Sequence, residues 1–176
     1  MTVLFLPSDH MRASRCLTLA VCVVVPILVC SCAPDASEPK FDTEREVRAI
    51  ETAIHGAIGW AKDKDFSLLH SVIANDRNYL EVDPTPGIIH GFSEFQKNEA
   101  FWASPDFKAV RYEIRDLTVT LSRRGDVAWF YCLLDDVNEW KGKPASWLNT
   151  RWTGVLEKRE EKWVIVQMHF SFAKET

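Results

Sequence analysis

From Lys108 to the C-terminus the sequence keeps changing side. Stretches such as "LTVTL" alternate apolar and polar residues at period two, the spacing of a strand with one face buried. Charged turn segments, "SRRGD" and "KREEK", interrupt the alternation. The pattern predicts strands over about 108–122, 127–141, 146–159 and 162–172, joined as an antiparallel meander with no helix among them. A sheet of this size must bury one face, so the cover has to come from the residues before it.

Those residues read as helices. "TERE", Thr43 to Glu46, is predicted to be a capping box. Val47, Ile50, Ile54, Ala57, Ile58 and Ala61 then form a helical stripe. A second helix is expected over Phe66 to Ala74, and a third after Ser93, carrying Phe95 and Trp102. "NYLEV" and "IIHG" are short strands on either side of the "DPTPG" turn. The expected class is α+β: a curved antiparallel sheet of about four long strands plus short early ones, wrapped around three N-terminal helices.

The first forty residues have a different character. Arg12 and Arg15 precede the apolar run Cys16 to Cys30, too short and too proline-interrupted to span a bilayer, as in an export signal. "MRASR" at Met11 is a better basic start than the ten residues before it. The run ends in Val29, Cys30, Ser31 and Cys32, which resembles the bacterial lipoprotein box. That resemblance implies a signal peptide over 1–31, lipidation of Cys32, a tether over 32–42 and one domain over 43–176. It places the domain in the bacterial cell envelope, held to a membrane through Cys32. With two membranes, Ala33 after the cysteine implies the outer one, facing the periplasm. Cys132 is then the one cysteine left in the domain, so no disulfide can form within it. The net charge of −4 and the lack of any basic block argue against nucleic acid as a partner.

The closing segment "RWTGVLEKREEKWVIVQMHFS" and "GDVAWF" at Gly125 to Phe130 resemble the SnoaL-like branch of the nuclear transport factor two / ketosteroid isomerase superfamily. The matching residues include Arg151, Trp163, His169 and Ser171, with His90 and Gly91 at the third helix. The resemblance implies a cone-shaped sheet with Phe170 pointing inward. The alternation agrees: Val164, Val166, Met168, Phe170 and Phe172 are all apolar and predicted inward, whereas Trp163, Ile165, Gln167, His169 and Ser171 are predicted outward. On the central strand Phe130, Cys132, Leu134 and Asp136 fall inside. Trp129, Tyr131, Trp163 and His169 fall on the outer face, where the family often places a second subunit, so a homodimer is expected.

For chemistry, a ketosteroid isomerase-like site needs a carboxylate base and a buried hydroxyl or acid. Glu81 and Asp83 are candidates for the base, Tyr79 or Tyr112 for the phenol, and Asp136 for a second carboxylate. The duller reading has Glu81 facing water between Leu80 and Val82, and Asp83 serving a turn before Pro84. The histidines and Cys132 lack metal-ligand spacing, and no cofactor is implied. Trp60, Trp102, Phe130, Cys132, Leu134, Trp152 and Phe170 are candidates to line an apolar pocket. The reading favours a membrane-tethered domain that binds a small apolar ligand or a partner subunit. The alternative is an isomerase, dehydratase or cyclase using a carboxylate in the cone. A carboxylate of raised pKa at the cone floor would favour the enzyme.

Overall fold

The computed structural model describes residues 41–173. The expected signal peptide, the lipidation of Cys32 and nearly all of the tether lie outside these residues. Among them no helix is long and apolar enough to cross a membrane.

Helix α1 spans Thr43–Gly59 and is continued by a 3-10 turn, Trp60–Lys62. The residue that caps it is Asp42, whose carboxylate accepts from the Arg45 amide at 3.0 Å. Glu46 does not reach back to complete the expected capping box. It turns inward, where Lys158 Nζ at 2.9 Å and Trp163 Nε1 at 2.7 Å donate to its two carboxylate oxygens. Helix α2 spans Phe66–Val72 and is capped by Asp65. The expected third helix is split into α3 (Phe92–Phe95) and α4 (Glu99–Ala103) by a 3-10 turn at Gln96–Asn98. Gly91 rather than Ser93 precedes it, at φ 81°, a left-handed backbone that favours glycine.

The strands are β1 (Leu80–Val82), β2 (Ile88–His90), β3 (Phe107–Leu121), β4 (Val127–Trp140), β5 (Lys143–Pro144), β6 (Trp147–Arg159) and β7 (Lys162–Ser171). They form one sheet in the order β2-β1-β7-β6-β4-β3, with β5 paired to β4. The fold is α+β as expected. The sheet is mixed, because β1 runs parallel to β7 while the other pairs are antiparallel. Bulges in the β3–β4, β4–β6 and β6–β7 pairings add twist and bend the sheet around α1. The core gathers Ile50 and Ile54 of α1 against Phe130, Trp152, Leu156 and Ile165 of the sheet.

One bulge changes the reading of β7. Leu156 pairs with Ile165 but Val155 pairs with Gln167, so Val166 has no partner of its own. The extra residue exchanges the two faces of the strand at that point. Met168 and Phe170 are buried and His169 is exposed, in the predicted sense. Before the bulge the sense reverses. Trp163 and Ile165 are buried, while Val164 and Val166 are only half-buried. Trp163 therefore does not belong to an outer dimer face; its ring packs inside and its N–H is held by Glu46. Phe172, also predicted inward, lies past the end of β7 and is exposed.

Candidate active site

The cone is packed at one end and hollow at the other. At the packed end α1 presents Ile50 and Ile54, both fully buried. Further along, Ala57 and Ile58 of α1 and Ala61 of the 3-10 turn that follows line a cavity of ≈ 520 Å³. That volume is in the range of small-molecule sites. Its walls are aromatic: Trp60, Phe95 and Trp102 from the helical side, Phe107, Trp147 and Phe170 from the sheet. Trp60 and Trp102 meet edge to face at 5.3 Å. Helix α4, which brings Trp102 and Phe101 to the cavity, is fastened by two contacts. His70 Nε2 lies 2.8 Å from Glu99 Oε1, and Lys64 Nζ donates to the carbonyls of Ala103 and Ser104.

Four residues of the expected pocket line the cavity: Trp60, Trp102, Leu134 and Phe170. Phe130, Cys132 and Trp152 do not. They point inward but lie deeper, where they fill the cone. Trp152 stacks on Phe170 at 5.4 Å and meets Phe130 edge to face at 4.9 Å, leaving no room for a ligand. Burial pushes the Cys132 thiol up to about 12, so it carries no thiolate at neutral pH.

The polar groups of the cavity are few. Glu81 lines it from β1, Asp136 and Asn138 from β4, and Ser146 from the loop before β6. Among the lining residues there is no lysine, arginine or histidine. Glu81 faces inward because of strand pairing. It lies opposite Met168 of β7 and Ile89 of β2, both of which are buried. Leu80 and Val82 take the other face, so their alternation with Glu81 points the carboxylate into the cone, not toward water.

Tyr79 stands behind Glu81 on the same face, with its ring edge-on to Phe95 at 5.3 Å. Its hydroxyl donates to Glu81 Oε2 at 2.5 Å. Burial pushes the Glu81 carboxyl up from 4.5 to about 7; the Tyr79 hydrogen bond opposes this, and the charge and hydrogen bond of Asp83 add to it. Burial first, and then the Glu81 charge, hold the Tyr79 phenol far above its ordinary range. Tyr79 itself does not line the cavity, so it positions Glu81. Asp136 is also raised, chiefly by burial, against a hydrogen bond from Asn138 Nδ2 at 2.8 Å. Tyr112 is elsewhere: it is partly exposed beside α1, with its hydroxyl 3.3 Å from His55 Nδ1. The structure thus brings together Tyr79, Glu81 and Asp83 on one strand, and sets Asp136 across the cavity from them.

A SnoaL-like domain model matches residues 50–175. Solved structures of the same fold include a protein assigned as a dehydratase of the NTF2-like family from Streptomyces avermitilis. It has 17% identity, covers 76% of this chain and 100% of that one, and has a TM-score of 0.65. A nuclear transport factor 2-like superfamily protein from Salmonella enterica serovar Typhimurium has 17% identity and a TM-score of 0.63, covering 77% of this chain and 96% of that one. A protein assigned as a calcium/calmodulin-dependent kinase II association domain from Exiguobacterium sibiricum has 8% identity and a TM-score of 0.60, covering 80% and 99%. Among curated proteins none matches the sequence. At these identities the structures testify to the fold, and the domain match over most of the chain shows that it belongs to the SnoaL-like family, with the nuclear transport factor 2-like fold.

Proposed function

We propose that the cavity is the acid–base site of a small enzyme of the isomerase or dehydratase type. The observation that carries the reading is Glu81: a carboxyl inside an aromatic cavity, pushed up to about 7 by burial. Such a group is poised between its two protonation states at neutral pH, which is where a general base or acid is most effective. An apolar floor would have favoured a binding domain without turnover.

In this reading Glu81 takes a proton from carbon beside a carbonyl and returns it elsewhere on the molecule. Tyr79 fixes the orientation of the carboxylate through its hydrogen bond. Asp136, whose carboxyl burial shifts toward the protonated form, is placed to donate toward the oxygen that gains charge. The substrate is small, ring-shaped and largely apolar, and it carries no negative charge, because the lining offers an anion two carboxylates and no cation.

Two features of setting belong to the same proposal. The domain is a lipoprotein anchored through Cys32 in the bacterial cell envelope, on the strength of "VCSC" after the apolar run. It works as a homodimer through the outer sheet face, where Trp129 and Tyr131 of β4 are 49% and 40% exposed beside Thr118 and Thr120 of β3.

The test uses cyclohex-3-enone, whose conversion to the conjugated enone is followed by ultraviolet absorbance. Wild type should accelerate it with a rate that rises through about pH 7. Glu81→Gln should lose roughly 100-fold or more, the usual contribution of a positioned base. A Glu81→Gln protein as active as wild type would overturn the reading.

A further inference from the structure

We propose that Glu81 and Asp83 share one proton and that Asp83 is the partner through which Glu81 exchanges it with solvent. The inference rests on Glu81 as the acid–base group of the cavity, but it concerns the other side of that group. Residues 79, 81 and 83 fall on one face of the β1 strand line, since side chains repeat every second residue. Going along it, exposure increases: Tyr79 is buried at 1%, Glu81 is buried at 7%, and Asp83 is only half-buried. On that shared face the Glu81 and Asp83 carboxyl groups are near enough for each to shift the ionisation of the other. Two neighbouring carboxyl groups in a buried setting favour holding one proton between them, because both cannot ionise cheaply.

The hairpin is shaped for this contact. Past the last β1–β2 pair, the Asp83 amide donates to the Gly87 carbonyl at 3.0 Å. A Cβ at Gly87 would lie 2.6 Å from Asp83 Oδ2, so the glycine leaves the space that the carboxylate occupies. The charged and titratable groups facing Glu81 are Tyr79 and Asp83 from its own strand line and Asp136 across the cavity. Met168 of β7, Leu69 of α2 and Phe95 of α3 bring none.

A proton relay here solves a problem that the cavity creates. A ligand seated among the aromatic walls would stand between Glu81 and the water at the cavity mouth. Glu81 must still be reset if a proton is lost or gained between turnovers. In the proposed step the Glu81 O–H bond breaks as an O–H bond forms on Asp83, and Asp83 then releases the proton to water. The reverse sequence reprotonates Glu81. No oxidant or other reactant is needed.

The test is a carboxyl titration by carbon-13 NMR on the full chain, labelled at aspartate and glutamate side chains and assigned with Glu81→Gln. In wild type the Glu81 and Asp83 signals should each show both steps of a coupled titration. In Asp83→Asn the Glu81 signal should become a single step with a lower midpoint. Gly87→Ala should act in the same direction with the charge retained, because it displaces the Asp83 carboxylate; it guards against a mere loosening of the turn by the first variant. A Glu81 signal that is single-step in wild type and unmoved in both variants overturns the pair. With cyclohex-3-enone in heavy water, Asp83→Asn should lower the deuterium content of the product several-fold, and an unchanged content overturns the exchange role. If no variant or wild type turns over, the catalytic reading fails, while the coupled titration still decides the pair.

Discussion

Glu46 and Glu81 are both shut off from water, 7% exposed each, at opposite ends of the cone. At the packed end, Glu46 meets the Lys158 ammonium and the Trp163 N–H, and these bonds hold its carboxyl below the ordinary range. At the hollow end, Glu81 meets a phenol, another carboxylate and aromatic walls, and burial holds it well above. One glutamate is satisfied and ties α1 to the β6–β7 hairpin. The other is left without a cation in a cavity that a packed core would have filled. Glu46 has a cation and Glu81, like Asp136 across the cavity, has none, which is why the proposed chemistry is placed at the hollow end.

The largest effect should come from breaking the packed end. Trp163→Ala removes a buried ring and leaves a Glu46 oxygen without its donor. It should lower unfolding stability by about 4 kcal/mol in urea denaturation, in the range for buried aromatics. A loss below about 1 kcal/mol would place the ring outside and remove the bulge at Val166 from the account.

Much of the fold could be read from the sequence. The four long strands are found within one or two residues of their predicted ends, because apolar, β-prone runs are separated by charged or glycine-bearing turns. The switch within β7 could not be read, since Val164 and Val166 are as apolar as Trp163 and Ile165, and both settings of the strand look equally good. Only the pairing with β6 decides it. The site was legible in name but not in weight. Tyr79, Glu81, Asp83 and Asp136 were all candidates, yet Glu81 looked solvated because Leu80 and Val82 flank it. Its burial follows from the parallel pairing of β1 with β7, which joins residues almost ninety positions apart. A tyrosine two residues before the glutamate, on the same strand face, was the one local signal of an inward polar face. The cavity itself could not be read, because a stripe of apolar residues does not tell which side chains fill the cone and which line a hollow.

The second effect separates the two glutamates by pH. Because the folded Glu81 pKa is raised, its contribution to stability is fully present below about 4.5 and is lost as pH rises through about 7. Glu46 has the opposite sign: its pKa is lowered, so its contribution is present above the unfolded value and lost in acid. Glu81→Gln should therefore gain relative to wild type by up to about 3 kcal/mol in mild alkali and by little at acid pH. Thermal melts across pH check this, and a difference that does not depend on pH would mean that Glu81 is not desolvated in the folded protein.

The smallest effect, and the one most dependent on assembly, is at His169. It follows Met168 and precedes Phe170, both buried, yet it is exposed on the outer face opposite Thr153 of β6. It makes no part of the cavity. In a monomer, His169→Ala should change stability by about 0.5 kcal/mol or less, as for other solvated surface positions. If two copies meet through the face that carries Trp129 and Tyr131, His169 lies beside that contact, and the loss should grow as protein concentration rises. Sedimentation of wild type and His169→Ala over a dilution series, together with melts at the same concentrations, separates the two cases. A dimer that survives dilution in both proteins, with equal melting temperatures, would show that the contact forms without this part of the face. A monomer throughout would remove the dimer. If His169→Ala instead abolished turnover of cyclohex-3-enone while leaving stability intact, catalysis would have to reach the outer face of the sheet, and Glu81 would lose its place as the centre of the chemistry.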